Sequence, residues 1–154
     1  MEELRVPKRR VSAEVLLPGG AVRPIVLFLA EAAPDHEGPE RPLDLLNGGG
    51  EFLPALEEAT GQMTFLNRSA LCAVRVAREV QPEELHVIPT EHEVELLLVD
   101  GAVLRGFVSY VRPAAHARLV DLLNEPTPFL RLVEQDAVTL VNKRHVARVA
   151  LLGR

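Results

Sequence analysis

The feature that most constrains the fold of this chain is an internal duplication. LLPGGAVRPIVLFL, which begins at Leu16, aligns with LLVDGAVLRGFVSY, which begins at Leu97. RPLDLLNGGGEFL from Arg41 aligns with RLVDLLNEPTPFL from Arg118, and MTFLNRSALCAV from Met63 aligns with VTLVNKRHVARV from Val138. Three similar blocks in the same order are the sequence signature of a repeat.

The alignment predicts two copies of one small domain, at residues 9–78 and 90–154, joined by a linker at 79–89. The linker contains Pro82 and Pro89, which are breakers of regular structure. The spacing between equivalent positions falls along the chain because two polar loops are longer in the first copy. Length changes in such loops cost little free energy.

Each copy contains five short apolar segments, which predict five strands. Gly19-Gly20 and Asp100-Gly101 stand between the first two segments of each copy and predict tight hairpins, with positive φ at both central residues of a type I′ turn. Gly106 inside a strand predicts a bulge or bend. Pro24, inside the corresponding strand of the first copy, predicts an edge strand or an interruption.

The DLLN segments lie between the second and third predicted strands, and each predicts one helical turn. The predicted fold is therefore mainly β. It consists of two tandem small barrels, SH3-like or Sm-like, of about five strands each.

Composition restricts the core and the function. Hydrophobic residues make up 47% of the chain but aromatic residues only 4%, so Leu, Val and Ala must build the core. The net charge is −5 and neither half is basic, which disfavours generic nucleic-acid binding. The longest apolar run, Ile25 to Ala30, is too short to cross a bilayer, and MEELRVPKRR lacks the apolar region of a signal peptide. These features predict a cytoplasmic protein without membrane contact.

The sequence offers little catalytic or metal-binding chemistry. Cys72, the only cysteine, lies in a predicted buried strand without a nearby histidine, which favours a core thiol over a nucleophile. His92 alternates with glutamates in EHEVE, which predicts a solvated acidic edge rather than a metal site. The other histidines, at positions 36, 86, 116 and 145, lack ligand-like spacing. We therefore predict no catalytic residue, no cofactor and no metal.

Two groups of polar residues are candidate binding sites. Lys143, Arg144, His145 and Arg148 form the one basic cluster, which could contact an RNA backbone or an acidic protein, or could be a charged hairpin tip that favours solubility. The second group belongs to the DLLN segments, where capping of turn amides is favoured over ligand binding. Its members are Asp44, Asn47, Asp121 and Asn124.

The second copy resembles the Sm-like family. The resemblance rests on VELLLVDGAVLRGFVSYV followed by FLRLV and AVTLVNKRHVARV. It implies a small barrel and, through the bacterial Sm-like RNA chaperone, RNA binding near a Lys-His pair. Here Arg144 separates Lys143 from His145. The pattern of a hairpin, DLLN, Phe-Leu and Asn-Lys is also similar to uncharacterised bacterial domains.

A second resemblance involves the start of the chain. Arg5, Arg9 and Arg10, followed by LDLLNGGGEF, look like the motifs with which PilZ domains bind cyclic di-GMP. Leu46 stands where that family has a serine. The resemblance implies a cyclic-dinucleotide receptor.

The leading interpretation is a non-enzymatic adaptor or scaffold of a bacterial regulatory or assembly complex, which binds a protein partner through edge strands. Homo-oligomerisation stays open. Sm-like RNA binding through Lys143 to Arg148 is the first alternative, and a PilZ-like receptor is the second.

Overall fold

A computed structural model of the chain describes residues 8–33, 38–82, 90–110 and 118–152. The described part is mainly β, as predicted. The first half contains β1 (Lys8–Leu16), β2 (Val22–Ala30), α1 (Pro42–Leu46), β3 (Phe52–Glu57), β4 (Met63–Asn67) and β5 (Ala73–Ala77). The second half contains β6 (Thr90–Leu98), β7 (Val103–Tyr110), α2 (Leu119–Leu123), β8 (Phe129–Val133), β9 (Ala137–Asn142) and β10 (Val146–Leu151).

The ten strands form one open antiparallel sheet in the order β10-β6-β7-β8-β9-β5-β1-β2-β3-β4. Each half contributes its strands in the order fifth, first, second, third, fourth. β9 pairs with β5 where the halves meet, and β10 and β4 are the edges of the sheet formed by the described residues. The finer prediction of two SH3-like or Sm-like barrels stays a prediction, because the strand pairing gives one open sheet.

Equivalent strands of the two halves pair in equivalent registers. In the first half Leu16 lies opposite Ala73 and Phe52 opposite Asn67. In the second half Leu97 lies opposite Arg148 and Phe129 opposite Asn142, and these are the same positions in the sequence alignment. A short 3₁₀ turn separates the last two strands in both halves, at Arg68–Ala70 and Lys143–His145.

The two predicted hairpins form. In the first, Gly19 and Gly20 both have positive φ, at 87° and 89°, whereas the second lacks the predicted type I′ turn. Of Asp100 and Gly101 only the glycine has positive φ, at 96°. The Gly101 amide donates to the Leu98 carbonyl over 2.9 Å, and the Leu98 amide donates to the Ala102 carbonyl over 2.8 Å. This is a three-residue loop that ends in a left-handed glycine, a common alternative to the two-residue turn.

Glycine is required at position 106 because the β8 backbone lies close to it, and not because of the predicted bulge. The β6–β7 ladder continues without a shift through the pair of Val94 and Gly106. A Cβ atom on Gly106 would lie 2.5 Å from the Val133 carbonyl oxygen of β8. The bulge among these strands lies instead in β10, between Val146 and Arg148.

The prediction that Pro24 marks an edge or an interruption is wrong. β2 is continuous and lies between β1 and β3. The Pro24 carbonyl faces away from β1 and accepts from the Glu58 amide over 3.1 Å, and the registered ladder to β3 begins only at Ile25. Since the nitrogen and carbonyl of a residue in an antiparallel strand point to the same side, the missing N–H does not break the β1–β2 ladder.

Two hydrophobic cores lie on the sheet, and both draw residues from the two halves. Core 1 combines residues of the first half with Phe129, Val138 and Leu140 of β8 and β9. Core 2 combines residues of the second half with Ala73, the first residue of β5, and with Cys72, which precedes it. Because side chains alternate along a strand, β9 sends Val138 and Leu140 into core 1 and Val141 into core 2.

The DLLN segments form the predicted helical turns, which pack on the cores. Leu46 of α1 is fully buried in core 1, and Leu45 packs against the same core. Leu122 and Leu123 of α2 are only partly buried against core 2. The helical turn of the second half is therefore less covered than that of the first.

Candidate interaction sites at the central junction and the sheet edges

The central junction is the pairing of β5 with β9, and it joins the two halves of the sheet. Five residue pairs form its ladder, from Ala73 opposite Val141 to Ala77 opposite Ala137. Arg75 Nε lies 3.2 Å from both the Glu134 carboxylate and the Thr139 hydroxyl. The Thr139 hydroxyl, which is fully buried, also donates to Glu134. The junction thus combines backbone pairing with a polar network that satisfies a buried hydroxyl.

Apolar burial is the second component of the junction. Phe129, Val138 and Leu140 enter core 1 with exposures of 3%, 0% and 0%. Burying side chains of this size stabilises by roughly 1.5–3 kcal/mol each. These three residues therefore complete the core of the first half from the second half.

Two asparagines fix the position of the halves. Asn47 Oδ1 accepts from the Phe129 amide over 2.8 Å, and its Nδ2 donates to the Phe129 carbonyl over 3.4 Å. Asn142, 1% exposed, caps its own 3₁₀ turn at the Arg144 amide and donates to the Leu71 carbonyl over 3.0 Å. Both side chains bond backbone groups of the other half.

The two hairpin tips also touch. Asp100 Oδ2 accepts from the Gly19 amide over 3.0 Å, and Oδ1 accepts from the Ala102 amide over 3.0 Å. The hydrogen bonds from Ala102 and Gly19 lower the pKa of Asp100, since they favour the carboxylate. Gly19 and Asp100 occupy equivalent positions in the two halves.

The β4 edge exposes apolar side chains at the positions that the second half buries. Phe52, Met63 and Phe65 are the counterparts of Phe129, Val138 and Leu140. Their exposures are 57%, 49% and 66%. We call Phe52, Met63 and Phe65 the β4 patch. Exposed apolar side chains at the edge of a sheet favour association with another chain.

The β10 edge is also less covered than its counterpart β5. Val74 and Val76 of β5 are buried, at 0% and 3%. Their counterparts are Val149, which is half-buried, and Leu151, which is 52% exposed. We call Val149 and Leu151 the β10 patch. The sheet therefore ends in an apolar patch at each edge.

The predicted basic cluster is only partly available to a ligand. Lys143 Nζ donates to the Glu125 carbonyl over 2.6 Å, and burial lowers the pKa of Lys143 although Glu125 opposes this. His145 Nε2 lies 2.7 Å from the Ser69 carbonyl. Arg144 and Arg148 are exposed. Lys143 and His145, two of the four predicted residues, are therefore engaged in hydrogen bonds to backbone carbonyl groups of the same chain.

Lys143 has a counterpart in Arg68. The Arg68 guanidinium donates to the Leu45 carbonyl over 2.8 Å and also to the Gly49 and Gly50 carbonyls. A basic side chain at the same position of each half therefore clamps the loop that follows the helical turn. These clamps line a groove of about 380 Å³ between the halves, which also contains Ser69, Asn142 and Arg144.

The polar residues of the DLLN segments have two kinds of partner. The aspartates bond nearby residues of their own turns, whereas Asn47 makes a long-range contact that the sequence did not predict. Asp44 accepts from the Arg41 amide over 2.9 Å, as a capping residue does, and Asp121 pairs with Arg118 over 3.0 Å. Asn47 is the C-cap residue of α1 through its backbone amide, but its side chain bonds Phe129, as described above. Its counterpart Asn124 is exposed, and its side chain bonds no described residue.

The expectation that Cys72 has no histidine near it is wrong. Cys72 Sγ lies 3.7 Å from His145 Nδ1, although the two residues are far apart in sequence. Since the Ser69 carbonyl can only accept, Nε2 carries the imidazole proton and Nδ1 accepts from the thiol. Burial, and secondarily Asp100, raises the pKa of Cys72. A buried thiol with a raised pKa is a poor nucleophile.

The remaining predicted positions do not converge on a site. Arg9 donates to the Glu40 carbonyl over 2.9 Å, and the Arg10 guanidinium lies 5.6 Å from the centre of the Phe28 ring. His92 lies on β6 between Glu91 and Glu93, which are exposed, and the registered ladder from β10 reaches only Val94. Arg5, most of the linker, and the histidines at positions 36, 86 and 116 lie outside the described residues.

Among the described residues, no group of three or more His, Cys, Asp or Glu side chains is arranged to hold a metal ion. None of the helices in the described ranges has the length and apolar character needed to cross a membrane. No family model, no curated protein and no solved structure matches this chain.

Proposed function

We propose that the protein is a non-enzymatic, cytoplasmic interaction module, an adaptor or scaffold of a bacterial regulatory or assembly complex. The observation that carries this proposal is the exposure of Met63 and Phe65 on the edge strand β4 and of Phe52 on the adjacent strand β3. An edge strand offers unpaired backbone groups, and its side chains select the partner, which is the mode called β-augmentation.

We interpret the two halves as tandem copies of one small SH3-like or Sm-like barrel. The common order of elements and the common strand registers support this interpretation. A fold of this kind does not specify an activity, so the proposal rests on the edge and not on the fold.

The alternatives have weaker support. RNA binding would rely on Arg144 and Arg148, because Lys143 and His145 bond carbonyl groups of the chain itself. A cyclic-dinucleotide receptor would require Arg9 and Arg10 to leave the Glu40 carbonyl and the Phe28 ring.

Affinity capture from a lysate of the source organism tests the proposal. Tagged wild-type protein should retain a protein partner, and Phe65→Arg should lose it because a guanidinium replaces the most exposed side chain of the β4 patch. Phe107→Arg is the matched control, since Phe107 is 43% exposed on β7, which is not an edge strand. Equal capture by all three proteins, or capture by none, would contradict the proposal.

A further inference from the structure

We infer that the partner of the β4 edge is a second copy of this chain, whose β10 pairs antiparallel with β4 and extends the sheet head to tail. The inference rests on the proposed binding role of the β4 edge and names its occupant. The pairing of β5 with β9 inside the chain is its template. β10 is the counterpart of β5, and β4 is the counterpart of β9. The two edges of the described sheet are therefore equivalent to the two sides of a junction that the chain already forms once.

The template also specifies the register between the copies. In the central junction Val74 lies opposite Leu140 and Val76 opposite Val138. The equivalent positions place Val149 of one copy opposite Phe65 of the other, and Leu151 opposite Met63. The two apolar patches therefore meet each other in this register.

Core 2 is less covered than core 1 at the place where core 1 receives Phe129, Val138 and Leu140. Leu46 of α1, which lies on core 1, is fully buried, whereas its counterpart Leu123 is only partly buried. Val120 of α2 is 50% exposed, and Leu151 of β10 is 52% exposed. Insertion of Phe52, Met63 and Phe65 from a second copy would cover this side of core 2.

Polar groups at the edges match the same arrangement. Asn47 bonds the backbone of Phe129 across the central junction. Asn124, its exposed counterpart, would bond the backbone of Phe52 in the second copy. The match is incomplete at one position, because Ala150 is the counterpart of Arg75, which binds Glu134 and Thr139 in the central junction. Pairing between copies should therefore be weaker than the junction within a chain.

The two edges are different surfaces, so the interface between copies is heterologous. A pair of copies keeps one unused β4 edge and one unused β10 edge, so further copies can add until the assembly closes into a ring. A two-fold dimer that pairs β4 with β4 would bury one type of edge only. This difference in symmetry makes the inference testable.

Molar mass measured by light scattering after size exclusion, over a series of concentrations, tests the inference. The wild-type mass should rise above that of a 16.9 kDa monomer as concentration increases. Phe65→Arg and Leu151→Arg should each be monomeric, since each blocks one edge. Mixed in equal amounts they should form a dimer and nothing larger, because one intact β4 edge and one intact β10 edge remain. Phe107→Arg should behave as the wild type.

A gain-of-function variant supplies the complementary measurement. Ala150→Arg restores the counterpart of Arg75 opposite Glu57 and Thr64, so it should shift association to several-fold lower concentration. Circular dichroism verifies folding of each variant, and the milder Phe65→Ser and Leu151→Ser replace any arginine variant that unfolds.

Three results would overturn the inference: a wild-type chain that is monomeric throughout, a Leu151→Arg chain that associates as the wild type does, or blocked chains that do not combine. If the pure chain is monomeric but Phe65→Arg still abolishes capture from the lysate, a different protein occupies the β4 edge and the proposed function stands. If Phe65→Arg changes neither association nor capture, both conclusions fail.

Discussion

Single residues at equivalent positions of the two halves have different surroundings, and these differences locate the contacts between halves. Asn47 bonds the Phe129 backbone, whereas Asn124 is exposed. Ile25 is fully buried in core 1, whereas its counterpart Gly106 leaves space for the β8 backbone. The side chain at this one position therefore determines how closely a neighbouring strand can approach in each half.

Gly106→Ala tests the close approach of β7 and β8. The added methyl group would lie 2.5 Å from the Val133 carbonyl oxygen, so the strands must separate. We expect the free energy of unfolding to fall by about 1–3 kcal/mol, as for other overpacked sites. Urea denaturation measures the change.

Gly49→Ala is the matched control for this substitution. Its Cβ would meet nothing within 4 Å, and its φ is not in the left-handed region. We expect a change within about 0.5 kcal/mol. Equal effects of the two substitutions would show that Gly106 is not required by the β8 backbone.

Local chemistry was predictable from sequence at this scale, and long-range contacts were not. The capping role of Asp44 follows from its place in a short turn, and its partner Arg41 is three residues away. The partners of Asn47 and Cys72 are Phe129 and His145, which belong to the other half of the chain. No spacing within DLLN or ALCAV contains that information.

Strands β4 and β9 show how position in a sheet changes the role of one element. Both are short, and they occupy equivalent places in their halves. β9 lies between β8 and β5 and is buried on both faces, whereas β4 pairs only with β3 among the described strands. Short apolar segments predicted both strands, but such a segment does not indicate which neighbouring strand pairs with it.

Substitution by alanine at the equivalent positions Leu140 and Phe65 should lower the free energy of unfolding by unequal amounts. Leu140→Ala removes a fully buried side chain from core 1 and should cost about 2–5 kcal/mol. Phe65→Ala shortens a side chain that is 66% exposed, and the free energy of unfolding should change by no more than about 0.5 kcal/mol when measured at concentrations where the chain is monomeric. Chemical denaturation at low protein concentration compares them. A similar loss in both variants would contradict the different burial of the two strands.

At the scale of the whole molecule, the two cores share strands and therefore depend on each other. Core 1 contains three residues of the second half, and core 2 contains Cys72 and Ala73 of the first. The sequence indicated the order of the elements, because local patterns determine it. It did not indicate that β5 and β9 join the halves into one sheet, since that pairing depends on contacts far apart in the chain.

Shared cores predict that the two halves unfold in one transition. In differential scanning calorimetry, the calorimetric enthalpy should equal the van't Hoff enthalpy at concentrations where the chain is monomeric. Leu140→Ala should lower the midpoint of that single transition without splitting it. Two resolved transitions, of which only one responds to Leu140→Ala, would show independent halves.

The central junction and the proposed junction between copies should depend differently on the amount of protein in a cell, because only the first lies within one chain. The junction between β5 and β9 lies within one chain, so its partners meet at a fixed effective concentration whatever the expression level. A junction between β4 and β10 of separate chains would form to a greater extent as the concentration of the protein increases. Under the proposed pairing, the two halves of one chain are always joined, and the number of chains in an assembly depends on the concentration of the protein in the cell.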